Sequence, residues 1–139
     1  MEHIAIMDDV TINKILTGHK TIESRFSKNK ITPFNNIKKG DVVFLKKGGG
    51  DILAYFVVND VNFFEGLDKD KVESIKEEYN EYINAPLDFW TSKMDSKYAT
   101  LIFIKNPQKI EPISIVKKNR QAFVTCSSIK KSFKFKNIL

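Results

Sequence analysis

The chain contains 139 residues, with 23 lysine and arginine residues against 17 aspartate and glutamate residues, which gives a formal net charge of +6. This length predicts a single domain spanning residues 1–139, large enough for one hydrophobic core and too short for two. The chain has no run of about eighteen apolar residues, so we expect no membrane span, and no basic start followed by an apolar segment, so we expect no secretory signal. The single cysteine, Cys126, cannot form an internal disulfide, which fits a reducing cytoplasm.

The first half of the chain predicts four strands and one helix. The strands are expected at Ile4–Met7, Thr21–Phe26, Asp41–Lys46 and Ile52–Val61. A short helix is expected from Asp9, because apolar residues recur at helical spacing before Gly18, which suits the left-handed backbone that ends many helices. Three glycines, Gly48-Gly49-Gly50, predict a tight turn between the last two strands. The alternative, a phosphate-binding loop, is less favoured because no helix follows these glycines.

The second half predicts two helices and three strands. Asp68–Ile83 carries apolar residues at helical spacing, and Leu87–Met94 is expected to form a short helix after Pro86. Strands are expected at Tyr98–Ile104, Ile110–Val116 and Ala122–Ser127. Asn106-Pro107 is expected to separate the first two, and the tail at Ser132–Lys136 is either a final strand or a loose arm. This order predicts an α+β fold built on a mixed β-barrel, closed or nearly closed.

The segment Gly18-His19-Lys20-Thr21-Ile22-Glu23-Ser24-Arg25 concentrates ionisable residues where the pattern is otherwise typical of buried structure. Alternation places Thr21, Glu23 and Arg25 on one face of the strand, and Lys20 lies at the junction with the helix. The Glu23 carboxylate can then hold the Arg25 guanidinium group and leave its remaining N–H groups for an anionic ligand. The alternative is a solvated surface pair of little energetic consequence.

Positive charge is unevenly distributed along the chain. Lysines cluster between residues 28 and 47, and basic residues cluster again between 117 and 136, whereas the segment from Asp60 to Glu81 is acidic. This asymmetry favours one positively charged face and a polyanion as the partner. The alternative, a lysine-rich composition that serves solubility alone, stays open.

Metal and cofactor chemistry is not expected. His3 and His19 are the only histidines, so a zinc site would need carboxylates for most of its ligands. Cys126 falls in a predicted strand with no histidine near it in the sequence, which favours a small buried thiol over a nucleophile. We therefore predict no metal and no cofactor.

The pattern Gly-x-Lys-Thr-x-Glu-x-Arg after a short helix, followed by Lys39-Gly40-Asp41 and an apolar strand, resembles the ASCH domain. ASCH domains are small β-barrels related to the PUA family of RNA-binding modules. The expected strands at Leu53–Val61 and Tyr98–Ile104 and the pair Phe89-Trp90 agree with this resemblance, which covers most of the chain. It implies an α+β, PUA-like mixed β-barrel with two or three short helices packed on it.

The resemblance and the basic clusters together imply a module that binds RNA, a nucleotide or a modified nucleoside in a basic cleft around this motif, and we expect a monomer. A base would stack on an aromatic ring while charged groups hold its polar edge or its phosphate. The candidate ligand-binding residues are Lys20, Glu23, Arg25, Lys46, Trp90 and Arg120. For Trp90 the alternative is core packing, since such a ring buries a large area.

Some ASCH relatives are enzymes, which leaves two alternatives to a binding module. The first is an amidohydrolase acting on N-acetylated cytidine, with Lys20, Thr21 or Glu23 in catalytic roles and Glu81 as the distant glutamate of such relatives. Glu23 stands where those relatives carry a threonine, and a carboxylate is a different nucleophile from a hydroxyl. The second is a ribonuclease in which Lys20, Glu23 and Arg25 act as acid, base and phosphate clamp.

Overall fold

A computed structural model of the chain describes residues 1–115 and 121–125. These residues form six strands and three helices. In chain order they are β1 (Glu2–Met7), α1 (Asp9–Leu16), β2 (Ile22–Ser27), β3 (Val42–Lys47), β4 (Ile52–Glu65), α2 (Lys69–Ile83), α3 (Leu87–Lys93), β5 (Tyr98–Ile113) and β6 (Phe123–Thr125). No helix in this described part is long and apolar enough to cross a membrane.

The strands form one curled mixed sheet, a half-barrel, in the order β2-β5-β4-β3-β1-β6. β1 and β3 are parallel, and the other neighbouring pairs are antiparallel. The predicted α+β fold with a mixed barrel-like sheet is confirmed in this form. In the order of the described strands, β2 and β6 are the two edges of the sheet, and β1 lies next to β6.

Local signals in the sequence set the ends of the helices that flank the site. The Asp8 side chain accepts the Thr11 N–H at 2.8 Å and starts α1, and the chain leaves this helix at Gly18, whose φ of +82° only glycine adopts freely. α2 ends at Asn84, which takes the left-handed conformation with φ +56°. The carbonyl groups at this end of α2 contact two lysines of the site, as described below.

The helices pack on two parts of the sheet through apolar residues at helical spacing. Ile12 and Ile15 of α1 are buried in a cluster with strands β1, β3 and β4. Val72 and Ile75 of α2 are buried in a second cluster, which also contains Trp90 of α3 and residues of β2 and β5. β2 therefore shares a core with α2 and α3.

The predicted break between two strands at Asn106-Pro107 is wrong, because β5 is continuous from Tyr98 to Ile113. Lys105 pairs with Val57 and Gln108 with Tyr55, so two residues of β5 oppose one residue of β4 in a bulge. Asn106 accommodates the bulge with φ +50°, and the proline costs no ladder hydrogen bond there. The strand expected over Ala122–Ser127 is present as β6, while Val116, Arg120, Cys126 and the tail at Ser132–Lys136 lie outside the described residues.

Candidate functional site

The centre of the candidate site is the Glu23 carboxylate, which lies between two cations. Its Oε2 accepts hydrogen bonds from Arg25 Nη2 at 2.8 Å and from Arg25 Nε at 3.1 Å, and its Oε1 lies 3.3 Å from Lys20 Nζ. Glu23 and Lys20 are each only 5% exposed, so the alternative of a solvated surface pair does not apply. The alternation of β2 puts Glu23 and Arg25 on the same face, and Lys20 reaches the carboxylate from the turn before the strand.

The charges around Glu23 keep it ionised. Burial alone would raise the pKa of the Glu23 carboxyl, but the neighbouring Arg25 and Lys20 charges outweigh burial and hold the pKa below its ordinary value of 4.5. Two cations and one anion leave the cluster with one net positive charge at neutral pH. We call these three residues the ion cluster.

The ion cluster is attached to the C-terminal end of α2. Lys20 Nζ donates a hydrogen bond to the Ile83 carbonyl at 2.8 Å, and Lys14 Nζ donates to the Asn84 carbonyl at 3.1 Å. The last carbonyl groups of a helix have no partners within the helix and carry partial negative charge, so they favour cations. The two lysines thus fix the end of α2 against α1 and β2.

Arg25 also joins the two edges of the half-barrel. Its Nη2 donates to the Ile6 carbonyl of β1 at 3.3 Å, and its Cζ lies 5.4 Å from the centre of the Phe123 ring of β6. Because Arg25 itself belongs to β2, one side chain connects the edge strand β2 with β1 and β6. The guanidinium group is therefore held on three sides by the protein.

A cavity of about 480 Å³ opens beside the ion cluster, between β2, α3, the loop around Pro33 and the start of β6. Its aromatic lining residues are Phe26, Phe34, Phe89, Tyr98 and Phe123. Its charged lining residues are Asp8, Lys14, Lys20, Glu23, Arg25 and Lys93. Ser24 also lines the cavity, and its hydroxyl group is buried and has no hydrogen-bond partner among the described residues. We call this space the first cavity.

The remaining predicted site residues do not line the first cavity. Thr21 and Glu81 are exposed, and the buried Lys46 donates through Nζ to the Lys47 carbonyl. Trp90 is fully buried in the core, which was the alternative to ligand stacking, and its neighbour Phe89 lines the cavity instead. Arg120 lies outside the described residues.

A second polar network was not predicted from the sequence. His3 is fully buried, and its Nε2 lies 2.8 Å from Asp41 Oδ2 while its Nδ1 lies 3.0 Å from Thr125 Oγ1. Asp41 also accepts the Lys38 N–H at 3.1 Å and a hydrogen bond from the Met1 ammonium group at 3.2 Å. Asp41 and Thr125 line a second cavity of about 560 Å³. The only sequence signal for it was the Lys39-Gly40-Asp41 turn.

Metal ligands are not grouped within this part of the molecule. Across residues 1–115 and 121–125, no three histidine, cysteine, aspartate or glutamate side chains are close enough together to hold a metal ion. The histidine and carboxylates of the two networks bind one another or nearby cations and backbone groups instead.

Crystal structures of a Zymomonas mobilis protein share this fold along nearly the whole chain. The structure described as ASCH superposes with a TM-score of 0.72 at 11% identity and covers 94% of this chain and 91% of that one. A serine-to-alanine variant gives a TM-score of 0.72 at 12% identity over 99% and 95% of the two chains. The chain has the ASCH-domain fold. The resemblance carried by the Gly18–Arg25 motif is thus confirmed for the ASCH fold, although no protein-family model matches the sequence and no curated protein matches it significantly.

Proposed function

We propose that the chain is a binding module that holds RNA, or a single nucleotide, in the first cavity. The observation that carries this proposal is a guanidinium group fixed at the cavity wall. Glu23 holds its Nε and Nη2, and among the described residues its Nη1 has no hydrogen-bond partner. A fixed planar donor suits phosphate oxygens, and little side-chain entropy is lost when it binds them.

The charge around Arg25 also suits an anionic ligand. Four cations and two carboxylates line the cavity, which leaves a positive surplus in line with the net charge of +6 for the whole chain. Lys93 of α3 adds a cation that does not belong to the ion cluster. Such a lining attracts phosphate groups and raises the local concentration of polyanions.

Aromatic rings beside these cations provide surfaces for a base. Phe89, Phe26 and Tyr98 are partly exposed and line the cavity, and the Lys93 ammonium lies 5.2 Å from the centre of the Phe89 ring. Stacking of a base on such a ring contributes about 1–3 kcal/mol by alanine substitution and tolerates any base. Stacking rings next to phosphate-binding cations are the combination that single-stranded RNA sites use.

A further argument for an RNA ligand comes from the fold. The ASCH-domain fold agrees, since the PUA family to which ASCH domains are related consists of RNA-binding modules.

The two enzymatic alternatives receive less support from the geometry. Thr21 is exposed outside the cavity, so it does not offer an amidohydrolase nucleophile beside Lys20, and Glu81 is exposed as well. In a ribonuclease, the lowered pKa of the Glu23 carboxyl makes its carboxylate a weak general base, and the Glu23 oxygens already bind Arg25 and Lys20.

Fluorescence anisotropy with labelled single-stranded RNA tests the binding proposal. Arg25→Lys keeps the positive charge but loses the planar fork, so we expect at least tenfold weaker binding, or about 1.4 kcal/mol. Lys109→Met removes a full charge at an exposed position of β5 outside both cavities and should weaken binding less than twofold. Unchanged affinity of folded Arg25→Lys protein would contradict the proposal.

Chromatography of the ligands after incubation separates binding from turnover. We expect intact RNA and intact N-acetylcytidine with the wild-type protein. RNA fragments would instead support the ribonuclease, and free cytidine would support the amidohydrolase. Both alternatives give Lys20 a catalytic role. If either reaction is seen, a Lys20→Met variant must therefore lack it, and turnover that persists in this variant would contradict that role.

A further inference from the structure

The two cavities are neighbours. Thr32 and Gln121 line both of them, so these two residues lie at the boundary between the two spaces. β6 runs along both, with Phe123 at the first cavity and Thr125 at the second. Residues two apart in a strand are separated by about 6.6 Å, a distance that one sugar–phosphate unit can cover.

The second cavity differs in chemistry from the first. Thr32, Asn35, Asn36, Gln121 and Thr125, which carry carboxamide and hydroxyl groups, line it together with the charged residues Met1, Lys38 and Asp41. Among the described residues, no phenylalanine, tyrosine or tryptophan lines the second cavity. Carboxamides present a donor and an acceptor side by side and can therefore pair with the edge of a base. The first cavity offers ring faces and cations, and the second offers edge-reading groups.

The lining groups of the second cavity are held in place by the protein. Asn36 Nδ2 donates to Thr32 Oγ1 at 2.7 Å, which fixes its amide plane and leaves its Oδ1 and one N–H. Asp41 accepts the His3 Nε2–H, so His3 Nδ1 is the acceptor for the Thr125 hydroxyl proton. Thr125 Oγ1 then offers its lone pairs to a donor such as the exocyclic amino group of a base.

We infer that the two cavities form one groove for two consecutive nucleotides of a single-stranded RNA, and this inference rests on the proposed function. One base stacks on the rings of the first cavity with its phosphate at Arg25. The neighbouring base enters the second cavity, where Asn36 and Thr125 bind its edge. Each cavity has the volume of one small-ligand site, and a mononucleotide fills only one of them.

Calorimetric titration with two ligand sets that each carry two phosphate groups tests this inference. Nucleoside 3′,5′-bisphosphates carry both phosphates without a second base, whereas 5′-phosphorylated dinucleotides add the second base. We expect the preferred dinucleotide to bind at least tenfold more tightly than the corresponding bisphosphate. Asn36→Ala should remove most of this difference and leave bisphosphate binding unchanged, because Asn36 is exposed and lines the second cavity but not the first.

The matched control is Asn59→Ala, an exposed position in β4 that lines neither cavity, and it should behave as wild type. If every dinucleotide binds as its bisphosphate does, or if Asn36→Ala leaves the difference intact, the second cavity is not a nucleotide site although the proposed function stands. If neither ligand set binds, the proposed function and this inference both fail.

Discussion

Two buried carboxylates, Glu23 and Asp41, are stabilised in different ways. Glu23 is 5% exposed and lies between the charges of Arg25 and Lys20. Asp41 is 2% exposed and is bound mainly through hydrogen bonds, from the His3 ring and from the Lys38 backbone. The burial of a carboxylate therefore does not by itself determine its role in the molecule. Glu23 belongs to a cluster with net positive charge that can meet an anion, whereas Asp41 orients an imidazole ring and, through it, a hydroxyl group.

The two networks respond to acid in different pH ranges. Burial lowers the pKa of His3 below its ordinary value of 6.5, and the bond and charge of Asp41 offset this only in part. The unfolded chain therefore takes up this proton first, so His3 reduces stability as the pH falls below 6.5. The pKa of Glu23 lies below 4.5, so the contribution of the ion cluster is complete above that value and is lost only at lower pH.

The largest effect is expected when the ion cluster loses its anion. Glu23→Gln leaves Lys20 buried beside Arg25 without a compensating charge, so the free energy of unfolding should fall by about 3–5 kcal/mol. Urea denaturation followed by circular dichroism measures this change. The matched control is Asp95→Asn, which breaks the 2.8 Å pair between the exposed Asp95 and Lys28 and should leave stability unchanged. Equal stability of wild type and Glu23→Gln would mean that the cluster does not stabilise the fold.

A smaller effect is expected from the histidine network. Wild-type stability should decrease as the pH falls from 6.5, by at most about 1.4 kcal/mol per pH unit for this one proton. His3→Gln removes the titrating group, so its stability should be nearly constant over this range, although lower at neutral pH. Unfolding curves measured between pH 7 and pH 5 test this expectation. If the free energy of unfolding of His3→Gln protein still falls with pH as it does in the wild type, a group other than His3 causes the pH dependence.

The smallest effect is expected from single lysines at the rim of the first cavity. If Lys93 contacts one phosphate, Lys93→Met should lower the magnitude of the log–log salt slope of RNA binding by about 0.7. Lys109→Met, outside both cavities, should leave the slope unchanged. Anisotropy titrations at several salt concentrations measure both variants. If the affinity of the wild-type protein for RNA does not depend on the salt concentration, the protein does not bind RNA through its phosphate groups.

The ion cluster could be predicted from the sequence because its members are neighbours. Lys20, Glu23 and Arg25 fall within six residues, and the alternation of a strand is enough to put two of them on one face. The same local reasoning gave a helix that begins at Asp9 and ends before Gly18. Periodicity also gave the helices and most strands, so an α+β fold with a mixed, barrel-like sheet followed from the pattern.

The second network could not be predicted in this way because its members come from distant parts of the chain. His3 and Asp41 are 38 residues apart, and His3 and Thr125 are 122 apart, so the pairing of β1 with β3 and with β6 is needed to bring them together. The contacts of Arg25 with Ile6 of β1 and Phe123 of β6 likewise depend on the curled sheet, which brings these strands close to β2. The predicted break at Asn106-Pro107 is wrong for a similar reason, because the bulge that accommodates Pro107 within β5 depends on pairing with β4.

The most direct test of the central claim observes Arg25 itself. The sequence has two arginines, Arg25 and Arg120, so a ¹H–¹⁵N spectrum contains few side-chain Nε–H signals, and Arg25→Lys identifies the one from Arg25. Its Nε–H is hydrogen-bonded to Glu23 at 3.1 Å, which favours slow exchange with water and an observable signal. We predict that single-stranded RNA shifts this signal with the same dissociation constant as overall binding. An Arg25 signal that stays in place while RNA binds would contradict the claim that the first cavity holds the phosphate.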